Sequence, residues 1–305
     1  PRRSLPGARK RLKNSTIMAE ITAFTVAQMQ GRMGDVTIFL RNGKYYLRTR
    51  HNRVRKDRKP TEDEMRTRLR FTNFGRLWSR FRGDTKPTFE DKQPGANDYT
   101  TFLKLNYKRS DVYLTKEMSD ANACVLYPAQ ISNGHILTPI QYAPHGSNIL
   151  TDIHLGTLAI DATTTVAAFS RALLSHNDPA RFRPGDVLVF YRATQFTNPA
   201  THLPDVSIQA SRILLDTNDL QPLANIVALD GFHVTDGRLS APNIPDTMVA
   251  WMQSRLLDNG HITNSLQYLQ GDNPTLTLLR TDDAFRHASA SYGGHANPYL
   301  RPARN

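Results

Sequence analysis

The sequence predicts an α+β fold: a basic N-terminal arm, a small β-hairpin plus helix region, and then a predominantly antiparallel β-sandwich-like domain. Three observations predict it. Asn42-Gly43 lies between two runs rich in β-branched and aromatic residues, Thr61 with Glu64 marks a capped helix start, and beyond about residue 145 short Val- and Leu-rich runs alternate with glycine turn pairs. The expected organisation is a flexible basic arm at 1–17, a basic hairpin/helix domain at 18–145, a β-sandwich-like domain at 146–280, and a terminal helix and tail at 281–305. With 39% hydrophobic and 22% charged side chains over 305 residues, the chain is apolar enough to fold and long enough for two domains.

The arm combines Pro, Gly and six cations, Arg2, Arg3, Arg9, Lys10, Arg11 and Lys13, with almost nothing apolar. Such a segment cannot bury a core and orders only on contact with a polyanion. Met18, just past it, reads as an alternative start. The run that follows is interrupted by Glu20, Thr22, Thr25 and Gln28, and no stretch of about 20 apolar residues occurs, so a transmembrane helix is not expected.

Residues 36–49 form the expected hairpin, because Asn-Gly accepts the positive φ angles of a type I′ turn. The loop 51–59 then carries Arg53, Arg55, Lys56, Arg58 and Lys59. A helix over 62–82 follows Pro60. At about 100° per residue Phe71, Phe74, Trp78 and Phe81 share one arc and read as core, while Arg66, Arg70, Arg76 and Arg80 form a neighbouring stripe. Met65 and Leu69 fall off that arc and Gly75 is expected to interrupt the helix, so a change of buried face or a kink is expected midway. A second helix over 97–108 carries Tyr99, Phe102, Leu103 and Leu105.

Strands are expected at 124–131 and 135–140, flanking Asn133-Gly134 as a second hairpin. Further strands are expected at 152–160, 186–193, 206–215 and 226–234, and at 247–257 paired with 261–269. Pro184-Gly185-Asp186, Asp230-Gly231, Asp236-Gly237 and Asn259-Gly260 punctuate them. Helices are expected at 164–175, with Val166, Phe169 and Leu173 on one face, and at 282–292.

Charge is divided unevenly. Residues 1–110 hold 27 Lys and Arg against 10 Asp and Glu, a balance of +17, while the other 195 residues hold 12 against 17, a balance of −5. Clustered cations concentrate polyanions and release counterions on binding phosphates. The arm, the loop and the arginine stripe are therefore the candidate nucleic-acid or polyanion-binding residues.

No catalytic residue, metal or cofactor is expected. The ten histidines never fall in an H-x-x-x-H or H-E-x-x-H pattern, and no G-x-S-x-G, G-x-x-x-x-G-K-[ST] or G-x-G-x-x-G occurs. Cys124 is the only cysteine, so no intrachain disulfide or multi-cysteine metal cage is possible within this sequence, and its setting in A-C-V-L-Y reads as a buried structural thiol.

Several motifs occur in a recognisable order. G-R-M-G-D-V at 31–36, N-G-K-Y-Y-L-R at 42–48, P-T-E-x-E-x-R-x-R-x-x-F at 60–71 and N-D-Y-x-x-F-L-x-x-N at 97–106 are followed by G-D-V-L-V-F-Y at 185–191, a strand near Arg212, and D-T-M-V-A-W-M-Q-S-R through N-S-L-Q-Y-L at 246–269. Over about residues 18–292 this order resembles an uncharacterised Bacteroidota family, domain of unknown function 6266. The resemblance implies a hairpin, an aromatic helix and a sandwich-like second half, and no activity. The chain departs from that pattern in its basic arm and in Arg41 and Lys44 at the first turn.

The expectation is a non-catalytic structural or binding protein, in the cytoplasm or inside a particle assembled there, whose basic third contacts nucleic acid or another polyanion. Protein partners or self-association are expected through the β-rich domain. One alternative is a virion or other assembly subunit acting through its β-sandwich. Another is an exported adhesion or carbohydrate-binding module, which would leave the basic third unexplained.

Overall fold

The structure, a computed structural model, describes residues 18–21, 31–33, 36–41, 44–49, 60–90, 92 and 95–293. The expected arm at 1–17, the basic loop 51–59 and the tail after Gly293 lie outside the described residues. The fold is α+β, and its contacts divide the chain into two units, Pro1–Arg58 and Lys59–Asn305.

In the first unit, β1 (Met18–Ile21), β2 (Gly31–Met33), β3 (Val36–Arg41) and β4 (Lys44–Thr49) form an antiparallel sheet in the order β1-β4-β3-β2. The β3–β4 register runs from Val36 opposite Thr49 to Arg41 opposite Lys44, the pairing that a two-residue hairpin loop demands.

The second unit begins with α1 (Glu62–Arg80). Its capping box is formed: the Glu64 N–H donates to Thr61 Oγ1 at 3.3 Å, and the Thr61 N–H donates to Glu64 Oε2 at 3.1 Å. Phe74, Leu77 and Phe81 enter the main core, but the expected single arc is incomplete. Phe71 is 47% exposed, whereas Met65 and Leu69 are buried in a smaller cluster with Tyr113, Phe285, Ala288 and Tyr292. At about 100° per residue Met65 and Phe74 lie roughly 180° apart, so the buried face rotates along the helix. The first half packs on a late helix and the second half on the main core. Gly75 does not interrupt α1, which runs unbroken past it.

Next come α2 (Asp98–Asn106), whose Phe102 meets Trp78 at 5.2 Å and Phe81 at 6.0 Å, α3 (Lys116–Asp120) and β5 (Gln130–Ser132). The elements beyond are β6 (Tyr142–His145), β7 (Asn148–His154), α4 (Val166–His176), β8 (Val187–Thr197), β9 (Pro204–Leu214), β10 (His233–Thr235) and β11 (Arg238–Pro242). The chain continues with β12 (Thr247–Leu256), β13 (Ile262–Asn264), β14 (Gln267–Tyr268), α5 (Pro274–Leu279) and α6 (Asp282–Ser291). The two larger sheets of this unit have the orders β10-β11-β7-β6 and β13-β12-β8-β9, all antiparallel, and β5 pairs with β14. Aromatic rings from both sheets meet in the core: Trp251 lies 5.3 Å from Phe190 and 5.2 Å from Tyr142 of the other sheet, and Phe169 of α4 reaches Phe232 at 5.7 Å.

Several expectations are corrected. The boundary expected near residue 145 is not where contacts divide the chain, because Phe74 and Phe102 share one core with Phe190 and Trp251. Residues 226–234 hold one short 3-10 turn, Leu229–Gly231, and the strand there begins only at His233. It turns into β11 through Asp236 and Gly237, whose φ angles of 52° and 69° suit a type I′ turn.

The hairpin expected at Asn133-Gly134 is absent. Gly134 is instead a close-approach position, since a Cβ there would collide with the Asn264 backbone. Residues 124–129 form no strand and thread the core fully buried, apart from the partly exposed Pro128. Side-chain amides take the place of a partner strand. Val125 donates to Asn73 Oδ1 and accepts from Asn73 Nδ2, both at 2.8 Å, and Asn106 brackets Gln130 in the same way at 2.7 and 3.0 Å. The Leu126 N–H donates to Gln195 Oε1 at 2.9 Å, and its carbonyl accepts from Asn273 Nδ2 at 2.8 Å. Cys124 donates to the Pro204 carbonyl at 2.9 Å.

Asn73→Ala strips both backbone groups of Val125 of their partner in a site with no water access, each loss being worth about 1–3 kcal/mol. Urea unfolding should show a stability loss of roughly 2–4 kcal/mol. A midpoint equal to that of the parent protein would contradict the bracket.

Candidate polyanion-binding surface

Cations separate between the units more sharply than the sequence alone suggests. Residues 1–58 hold 15 Lys and Arg against 3 Asp and Glu, whereas residues 59–305 hold 24 against 24. The whole net charge of +12 therefore belongs to the first unit.

The arginine stripe of α1 lies in the neutral unit, and its members hold the helix to its neighbours. Arg66 donates to Asp282 at 2.9 Å, to Glu62 at 3.0 Å and to the Tyr113 hydroxyl at 3.4 Å, while its guanidinium lies 4.0 Å from the centre of the Phe285 ring. Hydrogen bonds to Asp282 first and Glu62 second raise its pKa above the usual arginine value. Arg70 is ion-paired with Asp111 at 2.6 Å. Arg76 donates to the Ser119 carbonyl at 2.6 Å, and Arg80 donates to Asp205 at 2.6 Å and to the Asn122 carbonyl at 3.0 Å. The helix is thus tied to α6, to the segment before α3, to α3 itself and to the start of β9. A phosphate would have to displace these partners, which makes the stripe a poor anion site. Among these partners only Glu62, four residues from Arg66, carries a local sequence signal.

The remaining expected residues, Arg2, Arg3, Arg9, Lys10, Arg11, Lys13, Arg53, Arg55, Lys56, Arg58 and Lys59, belong to the segments outside the described residues.

Within the first unit the sheet register sorts side chains by face. Alternation along β3 and β4 places Thr37, Phe39, Tyr46 and Arg48 on one face, and Ile38, Leu40, Tyr45 and Leu47 on the other. Thr37 and Arg48 are exposed and Ile38 is buried. Phe39 and Tyr46, directly opposite in register, stack with ring centres 5.8 Å apart and planes inclined by 23°. The Thr37–Arg48 row continues through β2 at Arg32, and the hairpin end pairs Arg41 with Lys44. The period-2 alternation of β3 and β4 carries the sequence signal for this face.

Elsewhere in the described residues, ionisable groups serve packing. Asp186 is buried, receives two bonds from Arg255 at 2.7 Å and a third from Gln253 at 2.7 Å, and so locks the start of β8 to β12. A cavity of about 620 Å³ between the start of α1 and α6 is lined by Glu62, Arg66 and Asp282, whose charges meet in the Arg66 ion pairs. No group of three or more His, Cys, Asp or Glu among the described residues is arranged to hold a metal, and no described helix is long and apolar enough to cross a membrane. Cys124 has no exposed surface, and desolvation pushes its thiol up to about 12.

The fold and the placement of charge define an α+β protein whose net positive charge lies in residues 1–58 and whose residues 59–305 are charge-neutral. Compared with known proteins, the chain matches no family model, no curated protein and no solved structure.

Burial of Cys124 has a readout. An aromatic disulfide reagent at pH 8 should leave the native thiol unmodified until the protein unfolds, and should modify it at once in denaturant. Because the folded state holds a proton that an unfolded thiol releases near 9.0, this group's contribution to stability is present below that pH and lost as pH rises toward 12. Rapid modification of the native protein would contradict the burial.

Proposed function

We propose that this chain is a non-catalytic binding protein whose first unit engages nucleic acid or another polyanion, in the cytoplasm or inside a particle assembled there. The observation that carries the reading is the excess of 15 cations over 3 anions in residues 1–58, beside a body whose positive and negative charges balance. Cations bonded to carboxylates within their own fold, like Arg66, Arg70 and Arg80, offer little to an external phosphate. Cations in excess have no such internal neutralisation, and on contact with the phosphates of a polyanion they release the counterions condensed on it.

A second reading, a subunit of an assembly, draws support from β9. This eleven-residue strand ends its sheet. Its Pro204 carbonyl accepts from the buried Cys124 N–H on the side away from β8, and strand alternation sends the backbone groups of Ile208 and Ala210 to that same side. Edges of this kind pair with strands of other chains unless they are covered.

Charge reversal of the basic loop tests the first reading. Replacing Arg53, Arg55, Lys56, Arg58 and Lys59 together by Glu should weaken binding to a duplex oligonucleotide at least tenfold at about 0.1 M salt, and should make the dependence of log affinity on log salt shallower by up to about 4 units. The double variant Arg70→Ala, Arg80→Ala should keep the parent slope. An unchanged slope after charge reversal removes the loop from the interface. For the second reading, sedimentation should reveal an oligomer that Ala210→Pro dissociates, and a monomer at all concentrations would eliminate it.

A further inference from the structure

We infer that the polyanion is a single-stranded nucleic acid whose bases stack on the Phe39–Tyr46 pair while its phosphates follow the arginine row beside it; this rests on the polyanion-binding reading above. Three properties of the first unit converge on that ligand. Its sheet places two aromatic rings in one stacked pair on the same face as the exposed Arg48 and Thr37. The opposite face is covered at Ile38, which is buried, and partly at Leu47 and Tyr45, and opens toward the hairpin end at Leu40, which is 44% exposed. The register then extends the row from Arg48 through Thr37 to Arg32, and places Arg41 opposite Lys44 one row beyond the rings.

An aromatic pair flanked by cations is chemically redundant for a duplex or a sulfated polysaccharide. Neither ligand presents an open π-face, and phosphate or sulfate contact needs only charge. A single strand presents both features: a backbone of anions and bases free to stack on aromatic side chains, an interaction tolerant of sequence because every base has a π-face. The ring centres are 5.8 Å apart. Inserting a base between them would need about 7 Å, twice the ~3.4 Å stacking step. A base therefore adds to the outside of the pair and lengthens an existing stack, leaving the hairpin pairing intact.

A cross-strand aromatic pair also stabilises a hairpin, so the experiment reads selectivity rather than folding alone. Fluorescence anisotropy of the full chain is measured with a 20-nucleotide oligo-dT, a 20-nucleotide oligo-U and a 20-base-pair duplex at one salt concentration. The double variant Phe39→Leu, Tyr46→Leu should bind both single strands about tenfold or more weakly and the duplex within about twofold of the parent protein, with an unchanged circular dichroism spectrum. Tyr46→Phe, which keeps the ring, should retain parent affinity for the single strands. A difference between oligo-dT and oligo-U in the parent protein identifies the sugar, since only RNA offers a 2′-hydroxyl. Loss of single strands and duplex in equal measure, or of neither, overturns stacking while leaving polyanion binding in place. A parent protein that binds none of the three removes both readings.

Discussion

The buried passage of residues 124–130 through the core is the constraint to which the second unit is built. Its backbone lacks both water and a neighbouring strand over most of its length, yet peptide groups in such a place must be bonded or the fold is penalised by several kcal/mol. Asn73 from α1, Asn106 from α2, Gln195 from β8 and Asn273 at the start of α5 converge to supply the missing partners. Four elements distant in sequence are thereby fixed relative to one thread. Their amides can do this because each carries a donor and an acceptor side by side, the same pattern that a strand edge presents. This explains why the helical region and the β-rich region share one core instead of forming separate domains.

The elements that were legible in the sequence are those whose signals are local. Asn42-Gly43 between alternating runs fixes the β3–β4 pairing, Thr61 with Glu64 fixes the start of α1, and Val166, Phe169 and Leu173 mark the buried face of α4. Asn133-Gly134 carries the same dipeptide signature as the first turn but serves a different end, because the decisive neighbour, Asn264, lies far along the chain. In α1 the off-arc positions of Met65 and Leu69 signalled a change of face, but not what covers it. Nothing near Met65 announces that Phe285 will cover it.

The candidate site followed the same rule. Composition located the positive charge correctly in the early part of the chain, but it could not distinguish cations with internal partners from those without. Asp111, Asp205 and Asp282, the carboxylates that meet Arg70, Arg80 and Arg66, stand 41 to 216 residues from them in sequence, beyond any periodicity or motif. The face bearing Phe39 and Tyr46, by contrast, needed only the strand period and the hairpin register.

The equality of 24 cations and 24 anions in residues 59–305 has a colloidal consequence. At neutral pH that body exerts almost no long-range repulsion on its own kind, so mutual avoidance between molecules rests on the +12 of the first 58 residues. A polyanion that neutralises this charge does more than occupy a surface. It removes the barrier that keeps copies apart, and molecules held along one strand become free to approach one another closely.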